Sequence, residues 1–185
     1  EIKNEKISND FPFFSLSKNI VGESCNSQIN TISTYLKKNK SDYLFVSAPE
    51  NVAWLLNLRG SDSEFTPIPN SYLMLSNKNK VYFFCDLKKI NKKLKKKLGN
   101  IMIINIKYIE KFLLNIKNNV VQLDSSSCSI FFKKIIKKNN TIIEKQDPIY
   151  LLKSIKNKIE IKNMIKTHIY DGAALTKFLF WVKNN

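Results

Sequence analysis

The residues best suited to chemistry in this sequence gather around its single arginine. Arg59 stands among thirty lysines, with Asn57 and Asp62 beside it, at the end of the apolar run Asn51-Val52-Ala53-Trp54-Leu55-Leu56-Asn57-Leu58. A guanidinium is a planar fork that matches two oxygens, whereas an ammonium is a point charge, so a lone arginine in a lysine-rich chain marks a place where fork geometry matters. It can satisfy unpaired carbonyls at a helix end, pair with Asp62, or present a cation to a substrate carboxylate. Local pairing with Asp62 is the expectation, and Arg59 and Asp62 are the substrate-binding candidates.

Other reactive types are poorly placed. His168 falls on the apolar side of a helical pattern with Asp171 three residues on, which predicts an interior imidazole hydrogen-bonded to a neighbour and not a ligand or catalyst. Ser125-Ser126-Ser127 lacks a nucleophile elbow, and Asp62 and Glu64 share a loop where acidic residues usually form turns. The glycines Gly22, Gly60, Gly99 and Gly172 stand singly, which excludes a glycine-rich phosphate loop. Cys25, Cys85 and Cys128 are far apart and form no CxxC pair, as expected of reduced thiols in a cytoplasmic protein. No catalytic site assembles from these residues, and no metal site or cofactor is expected within the chain.

The elements that must position Arg59 are constrained by composition. The chain has 185 residues, 43% hydrophobic and 11% aromatic, enough to bury a core in one domain with some additional chain. Its net charge is +16, carried by lysine in a background rich in Asn and Ile. That bias resembles a genome-wide coding preference, so a specific nucleic-acid role is not expected, although salt-sensitive adhesion to polyanions is. No apolar run approaches the roughly 18–20 residues needed to span a bilayer. The missing initial Met suggests a fragment or trimmed chain.

Apolar spacing predicts a helix from Ser24 to Lys38 with Ser24 as N-cap, a strand at Tyr43–Val46, and a helix from Ala48-Pro49-Glu50 ending near Leu58–Gly60. A loop at residues 61–70 precedes a hairpin of strands Ser71–Leu75 and Lys80–Cys85. Asp86 should cap a lysine-rich helix reaching Leu98, closed by Gly99. Next come a strand at Ile101–Ile106, a helix at Tyr108–Asn115, a strand at Val120–Leu123, a helix at Ser126–Lys137 and a strand at Thr141–Glu144. This alternation predicts an α/β fold with a mixed sheet. Ile149–Ile155 reads as a short helical or extended linker. From Asn157 a long helix carries Ile161, Ile165, His168, Gly172, Leu175, Leu179 and Val182 along one side, which would either cover the core or belong to a domain beyond this chain. The cluster Phe11, Phe13 and Phe14 would let the leader dock.

Two stretches carry a family resemblance. The run Asn51 to Asp62, with Pro67, Pro69 and Ser71-Tyr72 after it, resembles the second N-terminal domain of three-domain aminopeptidase P (Xaa-Pro aminopeptidases), which shares the creatinase and prolidase N-terminal fold. Asp147-Pro148-Ile149, Lys153 to Asn157, Glu160, Met164, Thr167-His168-Ile169, Asp171 to Leu175, Phe178 and Trp181 resemble the segment leading into the first helix of the catalytic domain. Gly22-Glu23-Ser24 fits the start of the second domain.

The resemblance implies a creatinase N-terminal-like mixed sheet with helices on both faces, followed by a long C-terminal helix. It divides the chain into a leader or linker at 1–20, the α/β domain at 21–147, and a linker with the first helix of a truncated pita-bread catalytic domain at 148–185. Trp54, Asn57, Gly60, His168 and Asp171 match motif positions expected to be structural, and the family's two divalent metals, manganese as a rule, find no ligands here. The implied role is a noncatalytic middle domain, inactive alone, that shapes substrate access and subunit arrangement in a cytoplasmic homodimer. Its partners would be the missing catalytic domain and first N-terminal domain, with no membrane and no specific nucleic acid. The alternatives are an interaction subunit from a split or degraded gene, and a basic module binding polyanions nonspecifically.

Overall fold

A computed structural model of the protein describes residues 11–185. The chain opens with β1 (Phe14–Ser15), α1 (Lys18–Val21) and α2 (Cys25–Lys38), the last capped by the Ser24 hydroxyl accepting from Ser27 N. β2 (Tyr43–Val46) and α3 (Pro49–Leu55) follow, then β3 (Leu58–Arg59), β4 (Tyr72–Ser76), β5 (Val81–Cys85) and α4 (Lys92–Leu98). The remainder is β6 (Met102–Asn105), α5 (Ile109–Asn115), β7 (Val120–Leu123), α6 (Ile130–Lys137), β8 (Thr141–Glu144), α7 (Pro148–Ser154) and α8 (Lys158–Asn184).

Six strands form one mixed sheet in the order β6-β5-β4-β2-β7-β8. The hairpin β4–β5 and the pair β2–β4 are antiparallel, while β5–β6, β2–β7 and β7–β8 are parallel, as their helical crossovers require. Strand alternation sends side chains to two cores. Leu44, Val46, Leu73, Leu75 and Phe83 meet Ile32, Leu36, Val52, Leu55, Leu94 and Ile149 from α2, α3, α4 and α7. On the other face Phe45, Met74, Phe84 and Val121 meet Ile109, Leu113, Phe132, Ile135 and Ile136 from α5 and α6. Helices therefore cover both faces.

Three local expectations are corrected. The helix after Pro49 stops at Leu55, because Asn57 adopts a left-handed φ of 49° that asparagine tolerates, and Leu58–Arg59 then pairs antiparallel with Phe14–Ser15. Asp86 caps only a 3-10 turn, Leu87–Lys89; Ile90 is extended, and Asn91 caps α4 by accepting from Leu94 N. The serines at 125–127 do not begin α6. Asp124 Oδ1 holds Ser126 N and Oγ in a turn, and Ser129 caps the helix through Phe132 N. Of the two alternatives for the long helix, covering the core is not the one seen: none of its residues is buried.

The leader expectation is met only in part within the described residues. Phe13 is buried in the first core and Lys89 Nζ lies 5.8 Å above its ring, while Phe11 and Phe14 are exposed. The first ten residues of the predicted leader lie outside those described.

Candidate functional site

The single arginine, Arg59, is a backbone clamp. From β3, Arg59 Nη1 donates to Leu58 O at 2.7 Å and to Ala53 O, in the last turn of α3, at 3.2 Å. The fork thus satisfies a helix-end carbonyl across the Asn57 bend, and burial pushes the guanidinium pKa down. The expected pairing with Asp62 does not form. Asp62 Oδ1 bonds Lys89 Nζ, and its Oδ2 accepts from Asn70 N at 2.6 Å, so the carboxylate closes the loop Ser61–Asn70 onto the turn before α4. Arg59 is held on the Ala53 and Leu58 carbonyls, and Lys89 takes the acid.

The neighbouring motif residues share this structural character. Trp54 is half-buried and packs against the first core. Asn57 Nδ2 donates to Leu16 O at 2.9 Å, tying β3 to the segment after β1. Gly60 is buried beside Pro69 and Phe13, and a Cβ there would lie 2.9 Å from Pro69 Cα.

A second polar group, which no sequence spacing brings together, lies at the C-terminal ends of the parallel strands β2 and β7. Asp124 and Asp147 are buried there, and Asp147 N donates to Asp124 Oδ2 at 2.9 Å. Asn51 bridges α3 to α7: its Nδ2 donates to Asp147 Oδ2 at 2.8 Å and its Oδ1 accepts from Lys153 Nζ at 2.8 Å. Burial raises the Asp147 pKa, against hydrogen bonds from Ile149 N and Asn51. For Asp124 burial also acts upward, but bonds from Ser126 and Asp147 N outweigh it and the net shift is downward. Each carboxylate accepts from fixed donors, so this cluster holds α7 against the sheet.

The third group aims α8. Asn157 caps that helix by accepting from Ile159 N and Glu160 N at 3.0 Å, and Glu160 returns a bond to Asn157 N. The same asparagine donates Nδ2 to Val21 O at 2.8 Å, while Asn163 Nδ2 donates to Asn19 O and Ile20 O at 3.1 Å. Beyond these bonds the helix stands out from the domain, with Ile165, Ile169, Leu175, Phe178, Leu179, Trp181 and Val182 all exposed. His168 is exposed as well, beside Ile20, Glu160 and Met164, which corrects the interior imidazole; Asp171 is also exposed. With α8 lifted off the core, its apolar side meets no interior for His168 to enter.

Nucleophile and metal chemistry find little support here. Burial raises the thiol pKa of Cys25 and Cys128 to about 11 and of Cys85 to about 12, keeping each a protonated thiol near neutral pH. Among the described residues no group of three or more His, Cys, Asp and Glu side chains could hold a metal ion, so the residues present do not fit a di-metal centre. No described helix is long and apolar enough to cross a membrane.

The model of the creatinase/prolidase N-terminal domain matches residues 6–160, most of the chain. The chain belongs to that family. This creatinase/prolidase N-terminal domain is 35% identical over 173 residues to Xaa-Pro aminopeptidase 1 of Dictyostelium discoideum, with 92% of this chain and 27% of that protein covered. Against Xaa-Pro aminopeptidase ApepP of Drosophila melanogaster the identity is 34% over 157 residues, 80% of this chain and 25% of that protein. Its fold matches the crystal structure of X-prolyl aminopeptidase from Caenorhabditis elegans, a cytosolic enzyme with a di-nuclear active site, at a TM-score of 0.86 and 24% identity. That match covers 94% of this chain and 29% of the worm enzyme. The chain thus spans about a quarter of the length of the curated relatives it matches.

The two clasps around α7 and α8 escaped sequence reasoning because their members are separated by about 100 residues or more. Asp147-Pro148 and Asn157-x-x-Glu160 carry the local chemistry of helix starts. Their second role, bonding Asn51 and Val21, has no local signature.

Proposed function

We propose that this chain acts as the noncatalytic middle domain of an Xaa-Pro aminopeptidase, a metallopeptidase that removes N-terminal residues preceding proline. The observation that carries this reading is α8: a 27-residue helix, firmly started by the Asn157 capping box and tied to α1 near its start, that presents a large exposed apolar surface beyond those bonds. Such a helix is suited to be the first element of a further folded unit, and relatives that this chain covers by only about a quarter supply the length for one. In that setting the α/β body shapes access to a metal centre built elsewhere and contributes to the arrangement of a cytoplasmic homodimer. It is inactive alone, because a pair of divalent metals that activates water and polarises the scissile carbonyl needs a ligand set the described residues lack. The boundaries that suit this role are a linker to about residue 20, the α/β domain to 147, and the lead into the catalytic unit from 148.

The test is peptide hydrolysis. This chain with added manganese should release no N-terminal residue from an Xaa-Pro peptide, and the reading frame should continue past Asn185 into a segment carrying two Asp, one His and two Glu metal ligands. Metal-dependent turnover by the chain itself, or a frame that ends without such a segment, overturns the reading.

A further inference from the structure

Half of the chain's excess charge is concentrated in one place. Residues 78–97 hold nine lysines and a single acid, Asp86, a net of eight from a total of sixteen. A coding bias raises lysine throughout a chain; it does not explain a density well over twice the average in one segment, with the acids held out. The fold then gathers the segment. Leu94 and Leu98 turn into the core, so Lys92, Lys93, Lys95, Lys96 and Lys97 all lie on the outer side of α4. Lys88 is exposed on the preceding 3-10 turn, and Lys78 and Lys80 on the β4–β5 turn. That turn and α4 border a common cleft: Asn79, Lys97 and Asn100 line a space of about 420 Å³, together with Asn26 and Asn30 of α2.

The arrangement is electrostatically unfavourable without an anion. Lys92 and Lys96, and Lys93 and Lys97, are like-charge pairs four residues apart, each destabilising the helix. Among the described residues none of the eight exposed lysines has an ion-pair partner; Lys89, the ninth, has Asp62.

We propose that this face binds the phosphate backbone of a nucleic acid without sequence selection. Lysine point charges neutralise successive phosphates, and the exposed amides of Asn26, Asn30, Asn79 and Asn100 offer hydrogen-bond donors to phosphate and sugar at the cleft. Base reading is not provided, because the cleft contains no arginine fork and no aromatic ring on which a base could stack. An anionic membrane fits less well, since α4 turns both of its leucines inward and keeps no apolar side to insert.

The test is fluorescence anisotropy with a labelled mixed-sequence RNA oligonucleotide at rising salt. The unaltered chain should bind at low salt, with affinity falling steeply as salt rises. Replacing Lys92, Lys93, Lys95 and Lys96 by Gln should weaken binding at least tenfold at low salt and reduce the slope of log affinity against log salt by about 3, at about 0.7 per lost phosphate contact. A control variant with Lys134, Lys137, Lys138 and Lys177 replaced by Gln loses the same charge and should stay within about twofold, circular dichroism verifying the fold of both. Equal losses in the two variants would mean that binding follows net charge alone and would overturn the assignment. So would no binding by the unaltered chain, or binding only to phosphatidylserine vesicles. Because peptide hydrolysis plays no part, this proposal and the aminopeptidase reading stand or fall separately.

Discussion

Gly22 and Asn157 occupy the same small space from opposite ends of the chain. Gly22 adopts a φ of 76°, and a Cβ built on it would lie 2.8 Å from both Cγ and Nδ2 of Asn157, which is bonded to Val21 O. The contact locks the start of α8 onto α1, so the direction in which the long helix leaves the domain is set by a residue too small to interfere. Replacing Gly22 by Ala should cost about 2–3 kcal/mol, from the left-handed backbone together with displacement of the asparagine. Amide exchange in the first turns of α8 should speed up accordingly. The cost should shrink in a Gly22→Ala, Asn157→Ala double variant, since the clash is then gone while the backbone strain stays; strictly additive effects would show that the two residues do not interact.

The Asp124–Asp147 pair makes a pH prediction of definite sign. Burial raises the Asp147 pKa above the usual 3.8, so its ionisation weakens folding: the penalty is complete above the folded value and fades as pH falls through that value to 3.8. Asp124 works the other way, stabilising above 3.8 and losing that contribution as pH falls below it through its lowered folded value. Urea denaturation at a series of pH values between about 7 and 3 should therefore show Asp147→Asn removing a gain on the acid side of neutrality, and Asp124→Asn removing a loss at the acid extreme. Identical pH profiles for the two variants would contradict the assignment.

Arg59 and Asp62 should prove energetically independent despite being neighbours in sequence. A double-mutant cycle between Asp62→Ala and Lys89→Ala should give a coupling of about 1 kcal/mol, suited to a partly buried ion pair, whereas the Arg59–Asp62 cycle should give a value near zero. Arg59→Lys alone should cost about 1–2 kcal/mol in denaturant unfolding, because the shorter lysine side chain loses the Nη1 that donates to both Ala53 O and Leu58 O.

Trp54 packs against the first core but is only half-buried. Trp54→Ala should cost about 2 kcal/mol, below the 3–5 typical of a fully enclosed aromatic. Thermal unfolding measures it, and a loss under about 1 kcal/mol would place the indole on the surface and favour contact with a ligand or neighbouring unit.

Strand and helix assignments were legible because they depend on neighbours a few residues away. Tyr43–Val46, Val120–Leu123 and Thr141–Glu144 fall where their apolar patterns predicted, and Ser24, Asn157 and Gly99 mark helix ends by chemistry local to them. The errors arose where a distant or competing bond won. Arg59 chose carbonyls over Asp62 once the bend at Asn57 turned it back toward α3, and Ser126 went to Asp124 instead of opening a helix. His168 was misplaced for a different reason: apolar spacing says that a helix has a side to bury, not which body will bury it.

The sequence by itself determined the α/β alternation, the mixed sheet, the helix ends at Ser24, Gly99 and Asn157 and, through the Asn51–Asp62 and Asp147–Trp181 stretches, the family. Only the tertiary structure decided that Asn51 joins Asp147 and Lys153, that Gly22 makes room for Asn157, and that the β4–β5 turn and α4 border one cleft. Secondary structure follows side-chain periodicity and capping within a few residues, so one sequence displays it. Contacts across about 100 residues depend on how the sheet brings chain segments together, and no local pattern records that.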